Sequence, residues 1–235
     1  MNDHAASTLA ITLIRVISHN LPPTPSQLSF SKLSMSTHDL QDSLLIDELL
    51  NYAMSIGVTR AARIRPEAVR VEAKLAAYCR EPKCPHFGQS MSCPPFVSGP
   101  AGFRKFLAES KHAIVLRIEV DSDSLHGENR PEVMRLLHSL TAAVEGEAIR
   151  LGFATAKGFA GGSCKPSFCP EDEKCAVLAG VGDCRFPDQA RQSMSGYGIN
   201  VGELMKEAGW SNSLFDNEQT ADKQLAWIAG LVLLG

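Results

Sequence analysis

Seven cysteines fall into two groups along the chain, and no cysteine lies outside them. The first cysteine group consists of Cys79, Cys84 and Cys93, and the second cysteine group consists of Cys164, Cys169, Cys175 and Cys184. Cysteines that serve only as small core residues would be scattered through the apolar segments. Thiolates are ligands for soft and borderline metals, and sets of four hold either zinc or an iron–sulfur cluster. The grouping therefore indicates that this chain binds metal.

The second cysteine group has enough thiols for one complete [4Fe–4S] cluster. Its members are separated by four, five and eight residues. These intervals match neither the C-x₂-C-x₂-C run of bacterial ferredoxins nor the paired C-x₂-C of a zinc ribbon. Pro170 follows one cysteine, and Gly180 and Gly182 precede another, so the backbone can bend around a cluster. We predict that these four thiols hold a [4Fe–4S] cluster.

The first cysteine group has three thiols, which leaves one ligand position to be explained. One interpretation is a second [4Fe–4S] cluster whose fourth iron is open to a substrate or to water. Another is that His86, or a cysteine of the second group, completes the ligand set. His86 is more simply a loop histidine that forms hydrogen bonds. The sequence thus predicts one or two clusters. Zinc is the alternative metal, although seven thiols divide awkwardly into tetrahedral sites.

Composition excludes several other functions. A net charge of −3 and an aromatic content of 6% give no basic or aromatic surface for nucleic acid. No stretch reaches the roughly 20 apolar residues of a membrane span, and the start of the chain lacks the basic-then-apolar order of a secretory signal. An odd number of cysteines without such a signal indicates a reducing compartment. We therefore expect a cytoplasmic protein.

Residues 1–36 differ from the rest of the chain because they are rich in Ser, Thr and Pro. We interpret them as a disordered extension, or as the product of a start codon assigned too early, with Met35 as the true start. A targeting peptide is the alternative. Residues 37–235 are predicted to form a single α/β domain that carries the cysteines.

Apolar periodicity predicts helices that alternate with strands in residues 37–235. Predicted helices begin near residue 37, at Pro66, near Phe103, at Asn129 and at Pro187, and a last one follows Asn200. Predicted strands cover Val58–Ile64, Ala113–Val120, Phe153–Phe159 and Trp227–Leu234. Alternation of this kind is typical of β-α-β crossovers, so we expect a mainly parallel sheet with flanking helices. The cysteines would then lie on metal-binding loops at the ends of strands.

Several uncommon elements in a fixed order resemble one known family. The chain reads Cys79-x₄-Cys84-Pro-His-Phe-Gly-x₄-Cys93-Pro-Pro, then Gly-Gly-Ser-Cys164, then Cys184-Arg-Phe-Pro-Asp-Gln-Ala-Arg191-Gln-Ser-Met. These motifs are similar to those of the DUF2284 family of predicted metal-binding proteins, over about residues 40–235. The resemblance implies a cytoplasmic, cysteine-rich protein of iron–sulfur type, without a defined reaction. The chain departs from the family pattern in its wider spacing after Cys164 and in Gln192, where a proline is common.

Arg185 and Arg191 flank Pro187, where the sequence predicts the start of a helix. The amino end of a helix favours anions, so both arginines are candidates for binding a negatively charged cofactor. In that position they would stabilise a thiolate-ligated cluster and raise its potential. Alternatively, the two arginines bind a phosphate or carboxylate group of a substrate, or they form ordinary surface salt bridges.

Motifs for nucleotide binding, for serine hydrolases and for zinc proteases are absent from the sequence, as is the radical-SAM pattern C-x₃-C-x₂-C. We therefore expect a redox role, as an electron-transfer protein or a cluster-dependent reductase subunit. Its redox partner protein and any catalytic residues are not identified by the sequence. A zinc-stabilised interaction module without redox activity is the alternative, and a metal-delivery or metal-sensing protein is a third.

Overall fold

The computed structural model describes residues 37–80, 84–212 and 225–235, with side chains from residue 40 onward. The predicted extension at residues 1–36 lies outside this described part. Residues 41–235 form one unit, in which the described strands make a single sheet. No helix within the described ranges is long and apolar enough to cross a membrane.

The sheet has a long central strand that comes last in the chain. The strands are β1 Arg60–Ile64, β2 His112–Asp121, β3 Ala156–Ala160, β4 Gln192–Ser193 and β5 Leu225–Leu234. They lie side by side in the order β1-β2-β5-β3-β4. β5 pairs with β2 over their full lengths, from Leu234 opposite His112 to Leu225 opposite Asp121. β5 is therefore the strand that joins the two sides of the sheet.

The expectation of a mainly parallel sheet is wrong, because β3 with β4 is the single parallel pair among the described strands. β2 and β3 are both antiparallel to β5, so they run in the same direction, as the alternating pattern suggested. β2 and β3 are therefore the two parallel strands of a split β-α-β unit. β5, which comes later in the chain, lies between them and runs antiparallel to both.

Helices cover both faces of the sheet. They are α1 Thr37–Ser55, α2 Ala73–Ala77, α3 Gly99–Glu109, α4 Ser122–His126, α5 Arg130–Arg150, α6 Cys164–Phe168, α7 Ala176–Ala179, α8 Met194–Tyr197 and α9 Val201–Glu207, with a 3₁₀ helix at Pro66–Ala68. α1 and α5 contribute Leu49 and Leu137 to one buried core. α3, α8 and α9 contribute Phe103, Tyr197 and Leu204 to a second core.

Alternate residues of the two long strands point into these two cores, because successive side chains of a strand face opposite sides. In β2, Ile114 and Leu116 lie in the core with α1 and α5, whereas Val115 lies in the core with α3. In β5, Ile228 lies in the core with α1 and α5, whereas Leu231 lies in the core with α3. The protein is therefore a three-layer α/β structure with antiparallel pairing at its centre.

Two predicted helices differ from the structure. The helix expected to begin at Pro66 is interrupted, because Val71 pairs with Ile199 in a β-bridge between the 3₁₀ helix and α2. The helix expected at Pro187 is a turn, after which the chain enters β4. The residues that follow Pro187 are Asp-Gln-Ala, which offer no apolar face to bury.

The other predicted elements are confirmed, with small shifts of their ends. α1, α3 and α5 are the helices expected near residue 37, near Phe103 and at Asn129. The Asn200 side chain caps α9 by accepting a hydrogen bond from the Glu203 N–H at 3.1 Å. This capping follows from the type and spacing of the two residues.

Candidate metal centre

The first cysteine group lines a cavity of about 300 Å³, which we call the first-group cavity. Cys79 follows α2, whereas Cys84 and Cys93 lie between α2 and α3. Cys79 and Cys93 are buried, and Cys84 is partly exposed. The polar side chains that share this cavity belong to His86, Arg130, Ser163, Ser193 and Ser195.

Backbone hydrogen bonds fold the segment that carries Cys84 and Cys93. The Gly88 N–H donates to the Pro94 carbonyl at 2.8 Å, and the Cys93 N–H donates to the Ser90 carbonyl at 3.1 Å. Gly88 has a φ of +73°, which glycine adopts without strain. The segment therefore turns back on itself, so that both cysteines face the same cavity.

The second cysteine group lines a much smaller cavity of about 20 Å³, which we call the second-group cavity. Cys164 opens α6, Cys169 caps the end of α6, and Cys175 caps the start of α7. Cys184 is exposed in the segment that leads to β4. The prediction of cysteine-rich loops at strand ends is therefore wrong, because short helices carry or flank most of this group. A cavity of this size holds about one water-sized group.

A lysine closes the segment that follows α6. The Lys165 ammonium donates hydrogen bonds to the carbonyls of Cys169 at 2.6 Å and Asp172 at 2.5 Å. At the start of α6, the Ser163 hydroxyl accepts a hydrogen bond from the Lys165 N–H at 3.4 Å. These bonds fix the backbone of Cys169 against the helix that carries Cys164. Both cysteines therefore line the second-group cavity.

Three buried serines lie between the two cysteine groups and form the serine cluster, Ser90, Ser92 and Ser163. The Ser90 hydroxyl is 2.9 Å from that of Ser92 and 3.4 Å from that of Ser163. The Ser92 hydroxyl lies 3.8 Å from the Cys93 sulfur and accepts a hydrogen bond from the Cys164 N–H at 3.4 Å. Each cysteine group therefore touches the serine cluster, and the two groups are neighbours in the fold.

Burial raises the pKa of two thiols, one in each group. For Cys164, hydrogen bonds from two members of the serine cluster oppose the rise in pKa, and the neighbouring Cys93 and Cys184 add to it. For Cys79, the other two thiols of the first group add to the effect of burial on the pKa. Without metal, both thiols are therefore protonated near neutral pH. A metal must displace their protons, so metal affinity is expected to rise with pH.

The two arginines that the sequence nominates for cofactor binding occupy different environments. Arg185 lines the second-group cavity, and its guanidinium pairs with Asp172. Arg191 donates from Nε to the Glu145 carboxylate at 2.5 Å. Neither arginine flanks the start of a helix, because the segment at Pro187 is a turn.

His86 lines the first-group cavity but is not held as part of a compact ligand set. Burial lowers its pKa, and the cations Arg130 and Lys165 lower it further, so the ring is neutral near pH 7. Within the described part of the chain, no three side chains of His, Cys, Asp or Glu lie close enough together to hold a single metal ion.

The pattern of cysteines matches a known family. A family model described as a predicted metal-binding protein (DUF2284) matches residues 62–234, which is more than half of the chain. The chain belongs to the DUF2284 family. The matched part contains both cysteine groups, and the resemblance predicted from the motifs is confirmed. No curated protein and no solved structure matches the chain. The DUF2284 description indicates metal binding without naming the metal.

Several residues around the cysteines of this DUF2284 protein were not predicted from the sequence. Two of the serines had a local signal, because Ser92 directly precedes Cys93 and Ser163 directly precedes Cys164. His138 had none, because it lies on the apolar side of α5 and is fully buried. The contact of the serines with both cysteine groups, and that of His138 with the Arg191 backbone, follow only from the folded structure.

Proposed function

We propose that this DUF2284 protein carries one or two [4Fe–4S] clusters and has a redox role, as an electron-transfer protein or a cluster-dependent reductase subunit. The second cysteine group would hold one cluster. The first cysteine group would hold a further centre in which one ligand position is left for another group. A cytoplasmic location fits this role, because all seven cysteines are free thiols.

The observation that carries the proposal is that all four thiols of the second cysteine group line one cavity. Four thiolates are the full ligand set of a [4Fe–4S] cluster. A single zinc ion instead requires its thiolates within about 2.3 Å of one point. No three described side chains converge in that way. A cluster distributes its ligands over several irons, so it does not require all four thiols to meet at one point.

Cluster binding requires the thiols to move apart, because the second-group cavity is about 20 Å³ in volume. Cys184 is exposed, and the other three thiols of the group are partly exposed. Their side chains can therefore move without disturbing either apolar core. Gly180 and Gly182, with φ of +67° and +157°, give the segment before Cys184 the backbone freedom for this change.

The contact between the two cysteine groups supports a role in electron transfer rather than two independent structural metal sites. The Ser92 hydroxyl touches the Cys93 sulfur and the Cys164 N–H. Hydrogen bonds near ligand sulfurs tune the potential of an iron–sulfur centre. A bound cluster supplies one-electron chemistry here, and the exposed Cys184 marks the side at which a redox partner protein would approach.

The two arginines have different roles in this proposal. Arg185 lines the second-group cavity, so it can offset part of the negative charge of four thiolates. Arg191 is engaged with Glu145 and with the Pro187 carbonyl at 2.9 Å. It would act indirectly, by fixing the segment between Cys184 and β4.

Zinc is the second candidate, and the small volume of the second-group cavity favours it. A single ion needs less room than a cluster of four irons. With zinc bound, the protein would be an interaction module whose metal stabilises the segments around α6 and α7, without redox activity.

The deciding experiment measures iron, zinc and acid-labile sulfide per chain in protein purified without oxygen, together with its visible spectrum. We expect about four irons with equal sulfide for one cluster, and about eight for two. Cys175→Ser is expected to remove about four irons, because it removes one ligand of the complete set. Cys84→Ser tests the first cysteine group in the same way.

Val177→Ser is the matched control, since Val177 is exposed on α7 and receives the same new hydroxyl near Cys175. It is expected to keep its full iron content. Iron loss in both Cys175→Ser and Val177→Ser would contradict the assignment of the ligands. Zinc without sulfide in the unmodified protein would overturn the cluster and support the interaction module.

A further inference from the structure

Two cavities meet at Arg130. The first-group cavity and a neighbouring cavity of about 450 Å³ share Arg130 and Gly162 in their walls. We call the neighbour the apolar cavity, because its walls include Leu125, Met134, Leu137, Met194, Trp227 and Ile228. A small molecule bound at this junction would touch an apolar wall and lie beside the thiols of the first cysteine group.

Arg130 has unused capacity to bind an anion. Its described hydrogen bond goes to the Leu125 carbonyl at 3.1 Å. The next arginine along α5, Arg135, pairs with the Glu132 carboxylate, whereas no described carboxylate pairs with Arg130. A guanidinium has five N–H donors in a fork that matches a carboxylate. Several of these donors are therefore left for a ligand.

The surroundings of Arg130 are suited to a negative group. The described residues that line the two cavities include no Asp or Glu, and Arg130 is the single Arg or Lys among them. Ser193 and Ser195 add hydroxyl donors on the side of the first-group cavity.

We propose that this junction binds a small monocarboxylate with an apolar tail. The carboxylate is held by Arg130, and the tail lies in the apolar cavity. One guanidinium matches the single charge of a carboxylate, whereas a phosphate group carries nearly two charges and would require further cations. The volume and the apolar lining of the cavity are in the range of small-molecule sites in proteins.

This inference rests on the proposed function in one respect, namely that it places the carboxylate beside thiols that would hold a metal with an open ligand position. Binding of the carboxylate itself requires no metal. It is measured as heat of binding, whereas metal is measured as iron content, so the failure of one proposal can be distinguished from the failure of the other.

The test is calorimetric titration of the full chain with sodium acetate, butyrate and octanoate. Affinity is expected to rise about fourfold for each methylene that becomes buried. Arg130→Gln is expected to weaken octanoate binding about tenfold or more, because a charge-assisted hydrogen bond is lost. Arg130→Lys keeps the charge but not the fork, so its loss is expected to be smaller.

Arg150→Gln is the matched control, because it removes the same charge from the other end of α5, where Arg150 pairs with Glu147. It is expected to leave octanoate binding unchanged. Gly202→Leu tests the apolar cavity, since a Cβ at Gly202 meets no atom closer than Asn200 Oδ1 at 3.5 Å and Gly202 lines this cavity. This variant is expected to weaken octanoate binding and to spare acetate binding.

Equal octanoate affinity in the unmodified protein and in Arg130→Gln would overturn the proposal, and so would the absence of binding to the unmodified protein. Loss of iron in Arg130→Gln with unchanged octanoate binding would also overturn it, since Arg130 would then serve the metal alone. Octanoate binding that is lost in Arg130→Gln and kept in Cys79→Ser would support a carboxylate site that is independent of the metal.

Discussion

Protonation of His138 is expected to destabilise the fold, because its ring is completely buried at the centre of α5. The side chain is 0% exposed, and Nδ1 accepts a hydrogen bond from the Arg191 N–H at 3.0 Å. Burial first, and then the charge of Arg191, lower the pKa of His138 to about 4, although a hydrogen bond to the Gly161 carbonyl opposes both effects. The folded protein therefore holds a neutral ring that has no room for a second proton.

The size of the effect follows from the two pKa values. An unfolded chain returns the pKa of His138 to its ordinary value of about 6.5. Between the two values the unfolded chain binds one more proton than the folded protein, so stability is lost as the pH falls from about 6.5 towards 4. At 1.36 kcal/mol per pKa unit, the whole loss is about 3 kcal/mol. About 2 kcal/mol of it falls between pH 7 and pH 5.

Urea unfolding at pH 7, 6 and 5 measures this loss when the protein is compared with His138→Asn. The asparagine oxygen can still accept the Arg191 N–H but does not titrate. The unmodified protein is expected to lose about 2 kcal/mol more than His138→Asn between pH 7 and pH 5. His86 and His112, whose pKa values are also lowered, are present in both proteins, so their effects cancel.

His126→Asn is the control, because an exposed histidine on α4 receives the same substitution. If the unmodified protein and His138→Asn lose the same stability on acidification, the buried neutral ring of His138 is not the cause of the acid destabilisation.

Three further variants test the surroundings of the thiols and the backbone. Ser92→Ala is expected to lower the reduction potential of the proposed centre in a redox titration, because a hydroxyl near the ligand sulfur is lost. Arg191→Met should cost about 2 kcal/mol in urea unfolding, since the partly buried Glu145 loses its charged partner. Gly198→Ala should lower the melting temperature more than Gly209→Ala. Both glycines have positive φ, but a Cβ at Gly198 would lie 2.4 Å from a backbone oxygen.

Each of these expectations has a contrary result. An unchanged potential in Ser92→Ala would show that the serine cluster does not tune the centre. Full stability of Arg191→Met would show that Glu145 is satisfied without its cation, and Arg191→Lys should otherwise recover part of the loss. Equal melting temperatures for the two glycine variants would show that the backbone moves to accommodate the new methyl group.

The helices and strands could largely be predicted because their signals are local. β5 is a continuous apolar run, β2 is rich in β-branched residues, and α5 has apolar residues at helical spacing between Asn129 and Gly152. The direction of pairing could not be predicted, because it depends on contacts between distant residues such as His112 and Leu234. A run buried on both faces is compatible with parallel and antiparallel neighbours alike.

The thiols were visible in the sequence, but the groups that surround them were not. Ser90 and Ser163 are 73 positions apart in the chain, and their contact depends on how α6 meets the segment before α3. The expected anion site at Arg185 and Arg191 depended on a helix at Pro187, which the structure does not contain. Sequence spacing therefore identified candidate ligands and could not identify the groups that contact them.

The central position of β5 has a consequence for the order of biosynthesis. All seven cysteines precede this strand in the chain, so they leave the ribosome before it does. Until β5 is inserted, the β1–β2 side and the β3–β4 side of the sheet have no strand to join them. We therefore expect the thiols of the nascent chain to be open, whereas Cys79 and Cys93 are buried in the folded protein. If the thiols bind metal as proposed, we expect a metal donor to have its freest access between synthesis of Cys184 and insertion of β5.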